Sequence, residues 1–140
     1  MKILILNGPN LNLIQERNSE YYGKLTLEEI NKRIMMEFPD IEFTFLQSNV
    51  EGELINYIQN SINVYSGLII NPGGYAHTSV AIRDALELCK LPKIEVHLSN
   101  IANREDFRKI SLTASKCNGY ISGFHYLSYI CAVYILKKII

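Results

Sequence analysis

The chain has 140 residues, 48% of them apolar, with 14 lysines and arginines balanced by 14 aspartates and glutamates. That length suits one domain with a substantial core, so residues 1–140 are expected to form a single unit. Balanced charge excludes the basic excess typical of nucleic-acid binders and favours association with other proteins or with copies of the same chain.

Cys89, Cys117 and Cys131 are odd in number and have no CxxC spacing. They argue against a disulfide framework and for a reducing compartment, here the cytoplasm. The apolar run after Lys2 is too short for a signal peptide. Residues 117–136 carry no formal charge, but Asn118, Gly119, Ser122, Gly123, His125 and four tyrosines interrupt them. A strand, a turn and a buried helix explain that stretch better than a membrane span.

Residues 2–6 form the first predicted strand, followed by the polar burst Asn7-Gly-Pro-Asn-Leu-Asn12. A long polar loop is expected to continue to Gly23, with residues 8–23 as a lid. Thr26-Leu-Glu-Glu29 is a capping box, and Leu27, Ile30, Ile34 and Phe38 keep helical spacing up to Pro39. Residues 42–47 read as the second strand. Ser48-Asn-Val-Glu51 reads as another capping box, ahead of Leu54, Ile55, Ile58 and Ile62.

The third strand spans 66–70 and runs into Asn71-Pro-Gly-Gly-Tyr-Ala-His77. Residues 79–89 are helical, with a stripe of Ala81, Ile82, Ala85 and Leu86. The fourth strand, 94–96, runs into His97-Leu-Ser-Asn100; the fifth is 119–122, and the last helix is 124–138. That helix is apolar nearly all round, which predicts a second buried face, inside the chain or against another subunit.

Strands alternating with helices predict an α/β fold, a doubly wound parallel sheet in the flavodoxin-like order 2-1-3-4-5. That order sets the first, third and fourth strands side by side. Their polar bursts then converge at the carboxyl edge, where ligands bind in open α/β sheets.

No GxGxxG follows the first strand and no GxxxxGK[ST] occurs, which excludes the usual dinucleotide and P-loop sites. The first strand ends in Asn7, not in an acidic pair, and no hydroxyl-rich phosphate loop follows, so phospho-acceptor and flavin readings lose support. The histidines lack ligand spacing. No cofactor and no metal are expected.

Glu95 lies two residues before His97 on the fourth strand, so both share a face and the carboxylate can fix the imidazole tautomer. Gly73 and Gly74 permit positive φ and close approach of a ligand to the backbone, bracketed by Asn71 and His77. Arg17 and Tyr22 can meet in the long loop. A neutral phenol is a poor base near neutrality, and holding it as phenolate takes about 4 kcal/mol. One guanidinium at about 4 Å supplies that order of energy at an effective dielectric near 20. Asn10 and Asn12 can orient a water or an oxyanion, or serve only the turn.

These motifs resemble those of type II 3-dehydroquinate dehydratases over nearly the whole chain. The matching stretches are LNGPNLNL at 6–13, R-x4-YG at 17–23, QSNVEGELI at 47–55, INPGGYAHTSVAIRDAL at 70–86, EVHLSNI at 95–101 and REDFR at 104–108. The resemblance implies a flavodoxin-like enzyme that converts 3-dehydroquinate to 3-dehydroshikimate in the shikimate pathway, without cofactor. It implies Tyr22 as the base, in phenolate form, with Arg17 and Arg104 beside it. It implies Asn12 as holder of a water at the enolate, and His97 as the acid with Glu95 behind it. Asn71, His77 and Arg108 would bind substrate hydroxyls, and Ser99 with the backbone of Leu98 its carboxylate. Asp84 would reach a neighbouring subunit's site in a dodecamer built from trimers.

The sequence departs from that pattern in three places. Asn18-Ser19 follows Arg17 where the family often has an acidic residue and a proline, Tyr21 precedes Tyr22, and Gly74 replaces a common alanine. The alternatives from other classes are a non-catalytic flavodoxin-like binding module and an inactive oligomeric scaffold.

Overall fold

Strands of Ile, Leu and Val without polar alternation need burial on both faces. The computed structural model, which describes all 140 residues, buries them so. Five strands form one sheet in the order β2-β1-β3-β4-β5. They are β1 (Lys2–Asn7), β2 (Glu42–Gln47), β3 (Gly67–Asn71), β4 (Lys93–His97) and β5 (Gly119–Ser122). Every pairing is parallel, as the flavodoxin-like reading expects.

Three strands reach past their apolar runs. Asn7, Asn71 and His97 are themselves the last strand residues, and Asn7 pairs in register with Asn71. Period-two alternation then sorts the side chains. Ile3, Ile5, Ile69, Ile94 and Val96 pack with α2 (Leu27–Glu37) and α5 (Leu127–Ile139), while α1 is the single turn Ser19–Tyr22. Leu4, Leu6, Leu68 and Ile70 pack with α3 (Glu51–Ser61) and α4 (Val80–Leu88). The same alternation sends Asn7 and Asn71 toward α5, and Glu95 and His97 to the α4 side.

Two local expectations change. The Thr26 box forms: Thr26 N–H donates to Glu29 Oε2 at 2.7 Å, and Glu29 N–H to Thr26 Oγ1 at 3.1 Å. The Ser48–Glu51 box does not, because α3 starts later, with Val50 at its N-cap. Ser48 Oγ instead accepts Val50 N–H at 2.9 Å and donates to Glu53. The loop 7–23 is also more ordered than its polarity indicates. It contains a 3-10 helix, Leu11–Glu16, whose Leu11 and Ile14 are buried in the core.

Glycine is required where β1 and β3 end together. A Cβ on Gly8 would lie 2.4 Å from the Pro72 carbonyl oxygen, and Gly73 has φ +60°. Gly74 has neither constraint, since nothing lies within 4 Å of its Cβ position. Of the two glycines expected to permit positive φ, Gly73 adopts it and Gly74 does not.

Helix α5 buries Tyr129, Ala132, Val133 and Leu136, yet leaves Leu127, Tyr134, Ile135 and Ile139 exposed. The second apolar face is not covered within the chain. No helix is long and apolar enough to cross a membrane.

Candidate active site

The carboxyl ends of β3 and β4, the Leu11–Glu16 helix, α1 and the segment after β4 enclose one polar pocket. Arg17, Tyr22, Asn71, His77, His97, Leu98, Ser99, Arg104 and Arg108 all line it, with Leu11 and Ile101 as apolar wall. In this conformation it is a cavity of about 20 Å³, room for little more than one water. Three guanidiniums and no carboxylate line it, so its field favours an anion.

Tyr22 is buried because α1 turns its ring inward, whereas the neighbouring Tyr21 stays exposed. Its hydroxyl oxygen accepts a hydrogen bond from Arg17 Nη2 and another from Arg104 Nη1 at 2.6 Å. The Arg17 guanidinium also lies 3.9 Å from the ring centroid. Burial draws the Arg17 group below the usual arginine range; Tyr22 opposes that, while Arg104 and Arg108 add to it. Arg104 Nη1 reaches Ser99 Oγ as well, at 3.2 Å. Its Nε has no hydrogen-bond partner, the nearest carboxylate oxygen being that of Glu105 at 3.6 Å.

His97 ends β4, and its Nε2 meets Glu95 Oε1 at 2.6 Å, as the shared strand face predicts. Glu95 is fully buried and also accepts from Ser111 and Thr113. His77 stacks on His97 with centroids 6.3 Å apart. Its Nδ1 donates to the Ile110 carbonyl at 2.8 Å.

Asn71 is held at both ends of its amide. Oδ1 accepts Gly73 N–H at 3.1 Å, and Nδ2 donates to the Tyr129 hydroxyl at 3.0 Å. The Tyr129 hydroxyl in turn donates to Asn7 Oδ1 at 2.5 Å. Burial pushes the Tyr129 phenol well above its ordinary range, in keeping with a neutral donor.

Two expected residues stay outside. Asn12 is exposed on the Leu11–Glu16 helix and does not line the pocket. Asp84 is exposed on α4, 2.8 Å from Arg83 Nη1, and does not line it either. Tyr129, Ser111 and Thr113 were not expected. The only sequence signal for Tyr129 was its place amid an apolar helix, where a lone hydroxyl must find a partner.

The sheet order and this cationic pocket at the strand ends define a flavodoxin-like α/β protein with its site at the carboxyl edge. The family model for class II dehydroquinase matches residues 1–137. The chain is 49% identical to 3-dehydroquinate dehydratase of Caldanaerobacter subterraneus subsp. tengcongensis, over 97% of this chain and 93% of that one. It is also 49% identical to the 3-dehydroquinate dehydratase of Fusobacterium nucleatum subsp. nucleatum, over 97% and 96%. The crystal structure of type II dehydroquinase from Butyrivibrio crossotus superposes with a TM-score of 0.94 at 45% identity, covering 98% of this chain and 97% of that one. The chain belongs to the class II dehydroquinase family.

Proposed function

We propose that this chain is a type II 3-dehydroquinate dehydratase that removes water from 3-dehydroquinate to give 3-dehydroshikimate. The observation that carries the reading is the Tyr22 hydroxyl, buried in a cationic pocket with two guanidinium donors on its oxygen. Such donors favour negative charge on the atom they face. Tyr22, as phenolate, takes a proton from the carbon beside the substrate ketone, and the electron pair moves into an enolate. His97, held by Glu95, gives a proton to the departing hydroxyl as the enolate collapses, and water leaves. A base and an acid with separate surroundings fit general acid–base catalysis on one small substrate.

Asn71, His77 and Arg108 bind the substrate hydroxyls, and Ser99 with the Leu98 backbone takes the carboxylate. Asn12 holds its water once the lid, residues 8–23, rearranges around substrate. A cavity of about 20 Å³ requires that rearrangement, since sites for such ligands measure hundreds of Å³. The whole chain acts as one catalytic domain, in the cytoplasm and in the shikimate pathway. Its assembly is a dodecamer of trimers, in which Asp84 completes a neighbour's site.

Ultraviolet absorbance of the conjugated enone tests the activity. Purified protein given 3-dehydroquinate alone should produce the enone. Borohydride added with substrate should leave activity intact, because the mechanism has no imine. No enone from folded protein would overturn the reading and leave the non-catalytic module in its place.

A further inference from the structure

The Glu95 carboxylate is buried on β4, and three neighbours share its two oxygens. Oε1 accepts from His97 Nε2 at 2.6 Å and from the Ser111 hydroxyl at 2.8 Å. Oε2 accepts from the Thr113 hydroxyl at 2.5 Å. Ser111 Oγ also accepts Ala114 N–H at 3.1 Å, which leaves its single proton for Glu95.

The stretch that carries both hydroxyls is tied to the rest of the pocket. Leu112 N–H donates to the Ala76 carbonyl at 2.7 Å, and the Ile110 carbonyl holds His77 Nδ1. Residues 110–113 therefore touch one pocket imidazole directly and the other through Glu95.

The terminal torsion of a glutamate is broad, so one donor does not fix its plane. Hydroxyls on both oxygens do. With the plane fixed, Oε1 faces His97 Nε2, and the ring keeps its proton there.

We infer that Ser111 and Thr113 are positioning residues for His97: they pin the Glu95 carboxylate, which holds the neutral imidazole as its Nε2–H tautomer, so that the proton given to the departing hydroxyl is the one the imidazolium carries on Nδ1. This deepens the dehydratase reading and rests on it for what Nδ1 does. The other ionisable groups nearby make no hydrogen bond to Glu95. His77 stacks on His97, and Arg104 and Arg108 line the pocket wall. The Lys93 ammonium goes to the Cys89 and Leu91 carbonyls. Burial, with Glu95 as the second cause, pushes the Cys117 thiol up to about 12.

Nitrogen-15 NMR of the imidazoles reads the tautomer, and the chain has only three histidines to assign. Wild-type protein should show His97 as a single Nε2–H tautomer. The double variant Ser111→Ala, Thr113→Val should show a mixture. Its kcat should fall by about tenfold, the low end of what losing an outer partner costs a metal-bound imidazole. KM should stay within about twofold, because the side chains that bind substrate are untouched. Thr113→Ser, which keeps the hydroxyl, should behave as wild type. An unchanged tautomer in the double variant would overturn the inference. So would a Thr113→Ser variant as impaired as the double variant, because that would make Thr113 a packing residue. The NMR measurement needs no turnover, so failure of the dehydratase reading would be seen separately in the enone assay.

Discussion

At the scale of single residues, the site turns on which of two adjacent phenols faces the guanidiniums. Tyr21 and Tyr22 sit 6.4 Å apart, edge to face, and both have Arg104 over their rings. Only Tyr22 has its oxygen bonded by Arg17 and Arg104. Ring contact steadies a cation without changing the oxygen, whereas a donor on the oxygen stabilises the charge a base must carry. Tyr22→Phe should therefore lower kcat by about a hundredfold or more, the contribution of a positioned base. Tyr21→Phe should keep kcat within a fewfold, since its hydroxyl has no such partners. Enone absorbance measures both, and equal loss would move the base away from residue 22. Arg104→Ala should cost turnover as well, through the same oxygen.

At the scale of elements, the pocket exists because two strands end at the same level and their exits pass very close. Gly8 N–H donates to the Asn71 carbonyl at 2.8 Å, so the first residue after β1 is bound to the last of β3. A Cβ at 2.4 Å from the Pro72 oxygen leaves Gly8→Ala no room without moving backbone. That change should destabilise the fold by about 1–3 kcal/mol, the usual cost of overpacking, and lower kcat by separating Asn71 from the other groups. Gly74→Ala meets open space and should shift stability by no more than about 0.5 kcal/mol. Urea midpoints for the two variants check the contrast. The sheet was legible because its signals are local: β-branched runs ended by polar bursts fix the strands, and β2 and β5 lie at the residues expected. Glu95 and His97 were legible because two positions on a strand share a face. Tyr129 was not, since it meets Asn7 across 122 positions through the packing of α5. Ser111 and Thr113 were hidden for the same reason, lying in a loop whose path only the tertiary fold decides. The Ser48 box failed because an identical four-residue pattern serves equally for a helix that starts later.

At the scale of the whole molecule, the accessible surface is 7135 Å², close to the roughly 7,400 Å² expected of a monomer of this mass. The chain is thus fully folded on itself, and the outward residues of α5 are not the result of loose packing. Tyr120 and Phe124 add exposed aromatic surface near them. A neutral protein with such a face associates readily. Asp84 sharpens the point, since it stands clear of its own pocket on α4. If it serves a neighbour's pocket, two crippled chains can rescue one another. Asp84→Asn and Tyr22→Phe should each lower turnover when assembled alone. Unfolded together in equal amounts and refolded, they should form mixed trimers. There, a chain with intact Tyr22 can sit beside one with intact Asp84, in about a quarter of sites under random mixing. Activity should then rise above that of either parent, with light scattering showing the same assembly mass throughout. An Asp84 acting within its own chain would give no rescue, because no subunit in the mixture carries both intact side chains. A wild-type protein that scattered light as a monomer would remove the neighbour altogether, and with it the role of Asp84.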